Sequence, residues 1–363
     1  LTSSQYSPGI AEEQQLILQE FPFTLVIVNR ERLATIFLAT VAIGQASYQF
    51  LMVRAGLSNL FFDAREVWYP VAEAVSSGEA LYLGNAGDNK PPLFEILNVL
   101  FYQTGQYELS FFAFVGLSNA LAAVLLYRWV AQDYSLIFGE AAALLYLSTL
   151  PLINGTILNV RSVAVVCLLF ALYTEKPFAK GVSIATGAMF SQYTALAAIP
   201  ILLWGIHRSK RTREWVFSYI SAGLLVIAVS YGTVGVIWGV ESFQQAILSS
   251  VLAAGDYVAT PVRNPLINPI RWVSLLGLVI VSTVHVCVPA AILISRKVRS
   301  QPIQIIASSP NSVLGQSLIL SVLYFCTLFI KSLRYYWVFV MPFFSVLTAE
   351  LILLRLHSNS EDL

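Results

Sequence analysis

Apolar runs of about twenty residues recur along this chain of 363 residues. An α-helix needs a run of that length to cross the ~30 Å hydrocarbon core of a bilayer. Repeated runs of this kind remove most soluble folds from consideration. The charge content agrees: Asp, Glu, Lys and Arg make up 11% of the chain, against roughly a quarter in soluble proteins. The chain reads as an all-α integral membrane protein with many spans. A net charge of +1 gives no reason to expect a nucleic-acid partner. Cys167, Cys287 and Cys326 all lie inside apolar runs, and His207, His285 and His357 are scattered. Neither set has metal-ligand spacing, so no metal site is expected.

Taken in order, residues 1–32 read as a cytoplasmic N-terminal segment, polar over 1–20, with a short apolar patch at 21–28. Spans are expected near 33–53, 109–127, 135–152, 162–174, 215–239, 272–294, 312–330 and 336–354. Segment 181–207 is long enough for two short helices with a break near Gln192–Tyr193, which brings the total to about ten. The membrane domain covers 33–355, and 356–363 form a short cytoplasmic tail. With the N-terminus in the cytoplasm and 92–103 non-spanning, thirteen of the 21 Lys and Arg residues fall inside and eight outside. This follows the positive-inside rule. The long loop 54–108 and the loop 240–271 then lie on the outer face.

The first outer loop is the polar centre of the chain, and Asp63 to Glu95 is its densest stretch. Residues 64–77 are expected to form an amphipathic surface helix ending at Ser76-Ser77-Gly78. Pro91-Pro92 opens a second surface helix, since proline suits a first helical turn. Asp63, at the membrane boundary, can be tuned as a general base; the alternative is an aspartate capping the helix that starts at Ala64. In Asp88-Asn89-Lys90-Pro91-Pro92 two prolines stiffen the turn that presents an ammonium. A compact ammonium suits a phosphate, and Asp88 can orient it or share the ligand. Glu66, Glu73 and Glu95 flank these groups. Glu66 and Glu73, seven apart, share one helical face and are expected on a wetted side, though either can meet a substrate. Arg161, just after Asn159, can clamp a phosphate or sit among headgroups. In 240–271, Phe243, Ile247 and Val251 share one helical face, as in an interfacial helix, ahead of a proline-stiffened segment bearing Arg263 and Arg271. Lys331, Arg334, Tyr335 and Tyr336 stand before the last span. The outer cations, Arg54 and Arg65 among them, sit on the disfavoured side and ask for an anionic ligand such as a lipid phosphate.

Asp63, then Tyr69-Pro70, Ala72, Gly78 and Leu81-Tyr82, then Asp88-x-Lys90-Pro91-Pro92-Leu93, resemble the first outer loop of the GT-C superfamily. These are membrane glycosyltransferases that use polyprenyl-phosphate sugars, among them the protein O-mannosyltransferases and the lipid A aminoarabinose transferases. Arg334-Tyr335 with Pro342 is similar to a late Arg-Tyr…Pro element of that family. The resemblance implies a GT-C-like bundle, with Asp63 as the acidic residue that activates the acceptor hydroxyl. It also implies Lys90 on the donor phosphate and Arg334 near it. From their own place on the outer face, Arg161 or Arg263 can add a further phosphate contact. Asp88, Glu66, Tyr335 and Asn159 would line the substrate site. The chain departs from the family in two places. Asn159-Val160-Arg161 stands where relatives often have an aspartate, which leaves Asp88 or Glu66 to supply a second carboxylate, and Gln192 replaces a frequent lysine. A soluble acceptor-binding domain is expected to be absent.

The expected activity is inverting transfer of a sugar, mannose favoured, to an acceptor hydroxyl on a glycan, lipid or protein. It would take place at the outer face of the cell membrane without a cofactor. The alternatives are a flippase or transporter of a polyprenyl-linked sugar, and a non-catalytic relative that binds one.

Overall fold

The computed structural model describes residues 9–57, 64–151, 153, 161–252, 309–328 and 334–360. Among these the secondary structure is helical throughout. In chain order the helices are α1 (Gly9–Arg54), α2 (Tyr69–Ser76), α3 (Pro92–Gln103), α4 (Tyr107–Asp133), α5 (Leu136–Thr149) and α6 (Arg161–Tyr173). They continue with α7 (Pro177–Phe190), α8 (Ala198–Arg208), α9 (Thr212–Trp238), α10 (Val240–Ile247), α11 (Val313–Leu328) and α12 (Met341–Ser360).

Three of them are long and apolar enough to cross a membrane: Arg30–Arg54 within α1, α4 and α9. Shorter apolar helices occupy Leu136–Thr149, Arg161–Tyr173, Val313–Cys326 and Met341–Ile352. The expectation of about ten spans is therefore not met by helix length among the described residues, and the span at 272–294 lies outside them. The reason is local. Several apolar runs are interrupted, so α6 has only 13 residues, about 20 Å at 1.5 Å per residue. The polar start is helical from Gly9, part of one helix of 46 residues that runs to Arg54. At the other end α12 runs to Ser360, so most of the expected tail continues a helix.

α4 is the centre of the bundle. It packs against α1, α5 and α6, and 67% of its apolar window is buried, against 22% for the windows of α1 and α9. α1 turns Leu33, Ile36, Phe37 and Leu51 outward, and α9 does the same with Phe217, Leu224 and Val236. Such contiguous apolar faces are disfavoured in water and suit hydrocarbon.

α7 and α9 approach closely at small residues. A Cβ on Gly181 would overlap the Tyr219 carbonyl and meet Ala222, the small-residue packing by which membrane helices bring their backbones together. Gly181→Val is therefore expected to destabilise the protein by about 1–3 kcal/mol, as overpacking does. Thermal unfolding in detergent should show it as a clear fall in Tm, and an unchanged Tm would mean that α7 and α9 separate freely.

The first loop is folded onto the bundle. α2 and α3 pack together, and Gly78, at φ +103°, ends α2 at the expected turn. α3 starts at Pro92, as expected from its sequence. It bridges two apolar clusters. Phe94 joins Trp68, Tyr107, Phe111 and Val53, while Val99 joins Leu81, Tyr82, Met189, Tyr231 and Ala246. Trp68 stacks on Phe111 at 5.7 Å and meets Phe94 edge-on at 5.0 Å.

Candidate functional site

Between those two clusters the buried face of α3 is polar. Glu95 and Asn98, three apart, are both fully buried. Asn98 Nδ2 donates to the Trp68 carbonyl at 2.8 Å and, at 3.4 Å, to Glu95 Oε2. The Tyr107 hydroxyl donates to Asn98 Oδ1 at 2.6 Å. Glu95 thus differs from the exposed Glu66 and Glu73, because one turn after Pro91 the helix directs it into the core.

The Asp88–Pro91 turn lies against Glu95. Lys90 Nζ donates to Asn89 Oδ1 at 2.8 Å and stands 3.9 Å from Asp88 Oδ1. The Asp88 side chain is 5% exposed and that of Lys90 22%. Asp88 Oδ1 accepts from the Asn89 amide. The main chain of the turn is pinned from two sides. The Tyr82 hydroxyl donates to the Lys90 carbonyl at 2.8 Å, and Gln192 Nε2 reaches the Asn89 carbonyl at 3.4 Å. Tyr82 itself has φ +71°, a left-handed conformation that bulky residues rarely adopt and that the surrounding packing must enforce. Burial, then the nearby Glu95, raises its phenol pKa well above the usual value, so the hydroxyl stays protonated and able to donate.

Gln192 opens the turn Gln192–Ala197, where the expected break between two short helices is found. It also donates to the Ser250 carbonyl at 3.1 Å. Ser250 belongs to the turn Leu248–Leu252 after α10, and its hydroxyl pairs with that of Tyr231 at 2.6 Å. On α10 the buried residues are Ser242 and Ala246, continued by Ser250, whereas Ile247 and Val251 of the expected apolar face are 38% and 58% exposed. Next to Gln192, Tyr193 meets Phe339 at 6.3 Å. Phe339 ends the turn Arg334–Phe339, so the turns that begin at Gln192 and at Arg334 touch. Irregular backbone gathers here, as membrane proteins allow where it is enclosed by protein or lines a cavity.

Of the other expected site residues, Arg161 is buried at the start of α6, 7% exposed. Glu66 is exposed on the helical turn Ala64–Trp68, and none of its described contacts joins it to Asp88 and Lys90. Arg334 and Tyr335 open the turn that packs on α6. Asp63, Asn159 and Arg263 lie outside the described residues. Among the described residues no group of three or more His, Cys, Asp or Glu is arranged to hold a metal ion.

Glu95 is the residue that sequence reasoning undervalued. Burial, then Asp88 beside it, raises its pKa well above the usual carboxylate range, and Lys90 and Asn98 oppose this only in part. An ion buried this deeply costs several kcal/mol in desolvation, so the neutral acid is the form that the fold selects. Among the described residues Glu95 Oε1 and Asp88 Oδ2 have no hydrogen-bond partner, and a proton on Glu95 gives this carboxyl pair a donor.

The sign of the pH effect follows. The unfolded group titrates near 4.3 and the folded one higher. The folded state therefore holds the extra proton between those values, and its stability falls as pH rises through that window, by about 1.4 kcal/mol per unit. Glu95→Gln should flatten this slope in thermal unfolding measured against pH. An equal slope in both proteins would place the proton elsewhere.

No protein-family profile matches the sequence, and neither does any curated protein.

Proposed function

We propose that this chain is an integral-membrane, GT-C-like glycosyltransferase. It moves a sugar, mannose favoured, from a polyprenyl- or dolichyl-phosphate carrier to an acceptor hydroxyl, with inversion, at the outer face of the membrane. Lys90 holds the donor phosphate, helped by Arg334 and by Arg161 and Arg263. Asp63 takes the acceptor proton as the oxygen attacks the anomeric carbon. Asp88, Tyr335 and Asn159 line the substrate side, and Glu66 is the weakest of these assignments because it is exposed.

The observation that carries this reading is the Lys90 turn. The Lys90 side chain is only 22% exposed, on a backbone clamped by Tyr82 and Gln192. A fixed cation in a partly dry setting is suited to charge that grows on a departing phosphate. Two further features support it. The turn starting at Arg334 lies one aromatic contact from the turn starting at Gln192. The exposed apolar faces of α1 and α9 leave room for a lipid carrier to approach from the bilayer. Asp88 is the second carboxylate at the phosphate turn, the place left open by Asn159-Val160-Arg161.

The test is transfer of radiolabelled mannose from polyprenyl-phosphate mannose in membranes that contain the chain. Labelled acceptor above the background of membranes without it supports the reading. If mannose, glucose and aminosugar donors all leave the acceptors unlabelled, the transferase reading is rejected, and translocation of the lipid-linked sugar then tests the flippase alternative.

A further inference from the structure

A second basic site lies apart from the Lys90 turn. A cleft of about 440 Å³ opens where α1 ends and α4 begins, lined by Phe50, Arg54, Arg65, Tyr69, Gln106 and Glu108. Arg54 is the last residue of the first span and Tyr107 the first of the next. The two helices pack side by side and run antiparallel, so the cleft lies where two apolar helices of membrane-crossing length end together.

Glu108 lies between the two guanidiniums. Arg65 Nη2 is 3.3 Å from its Oε1 and Arg54 Nη1 is 4.0 Å from its Oε2. Among the described lining residues two cations share one carboxylate, which leaves a positive excess there. Each guanidinium has five N–H donors, and the side chains of Arg54 and Arg65 are 68% and 62% exposed, so donors remain for a ligand. α4 begins without a side-chain cap, and the positive end of its dipole adds to the same field. On the membrane side of the cations the surface is apolar, with Leu51 63% and Leu109 49% exposed. A ligand that fits carries an anionic head and hydrocarbon tails.

We propose that this cleft binds the phosphate of an anionic membrane phospholipid, with Arg54 and Arg65 on the phosphate oxygens and Glu108 holding both arginines in place. The acyl chains run along the exposed flank of α1 and α4. This gives a purpose to two cations on the disfavoured side of the membrane, and it does not depend on the chain being a transferase.

The experiment uses the full chain in phosphatidylcholine nanodiscs titrated with phosphatidylglycerol, with lipid retention read by native mass spectrometry. No sugar donor is present, so the result is independent of transfer activity. The Arg54→Gln/Arg65→Gln variant should bind phosphatidylglycerol more weakly by about fivefold for each arginine, and it should melt like the wild type in phosphatidylcholine alone. The charge-matched control Lys210→Gln/Arg213→Gln, at the start of α9, should bind as the wild type does. Should the double variant melt lower, Arg54→Gln alone, which loses only the looser 4.0 Å pair, carries the comparison. Equal retention by the arginine variant and the wild type overturns the proposal. So does equal loss in the control, and so does displacement of the lipid by glycerol phosphate in solution at matched concentration.

Discussion

Alanine at position 90 is expected to lower sugar transfer by about a hundred- to a thousandfold while the protein stays folded. The reason lies in how the turn is held. The bonds that shape it are made to main-chain carbonyls, from Tyr82 to Lys90 and from Gln192 to Asn89. Both survive removal of the lysine side chain. What is lost is the ammonium, now tethered by Asn89 Oδ1 at 2.8 Å. If that ammonium neutralises the leaving phosphate, its loss falls on the chemical step and persists at saturating donor. Lys90→Arg should restore only part of the rate, because a planar fork does not replace a compact charge. Transfer rates at matched membrane levels decide the matter, and a rate within twofold of the wild type would remove Lys90 from the site.

Asparagine at position 63 should cost about a hundred- to ten-thousandfold, the usual contribution of a positioned general base. The change is nearly isosteric, and the next residue, Ala64, is 1% exposed in the cluster of Trp68 and Phe94, so backbone anchorage is kept. A general base leaves a particular signature. The wild-type rate should fall as pH drops through the carboxylate pKa, and the small residual rate of Asp63→Asn should lack that limb. Full activity in this variant would move the base elsewhere, and Asp88 would be the next residue to test.

Much of the frame was legible in the chain, because hydrophobic length and proline placement act locally. The apolar runs around α4 and α9, the start of α3 at Pro92 and the break at Gln192 all follow from near neighbours in sequence. The site was legible only in part. Asp88-Asn89-Lys90-Pro91-Pro92 reads as a stiff cationic turn, but its depth does not, since that depends on Gln192, 103 residues away. Glu95 was passed over for the same reason. A glutamate among polar neighbours reads as solvated, and only the apolar residues on both sides of its helix stripe, Phe94 and Val99, hint at burial. Of the apolar stripe that the sequence shows in and after α10, Ile247 and Val251 do face outward, while Phe243 is half-buried against the cluster of Tyr231 and Val234. The small buried stripe on its other side, Ser242, Ala246 and Ser250, has no pattern that marks it as the side docked on the site.

The bond from Gln192 to Asn89 also sets an order of assembly. A ribosome adds about 5–20 residues per second, so the 103 residues between these partners take about 5–20 s to follow. α7 is completed only at the end of that interval, and α9 and α10 follow it, so until then the first loop lacks helices that close over it and Glu95 lacks part of its burial. Docking of the later helices completes its burial, which raises its pKa. Completion of the bundle therefore favours proton uptake, and closure of the first loop is expected to weaken as pH rises.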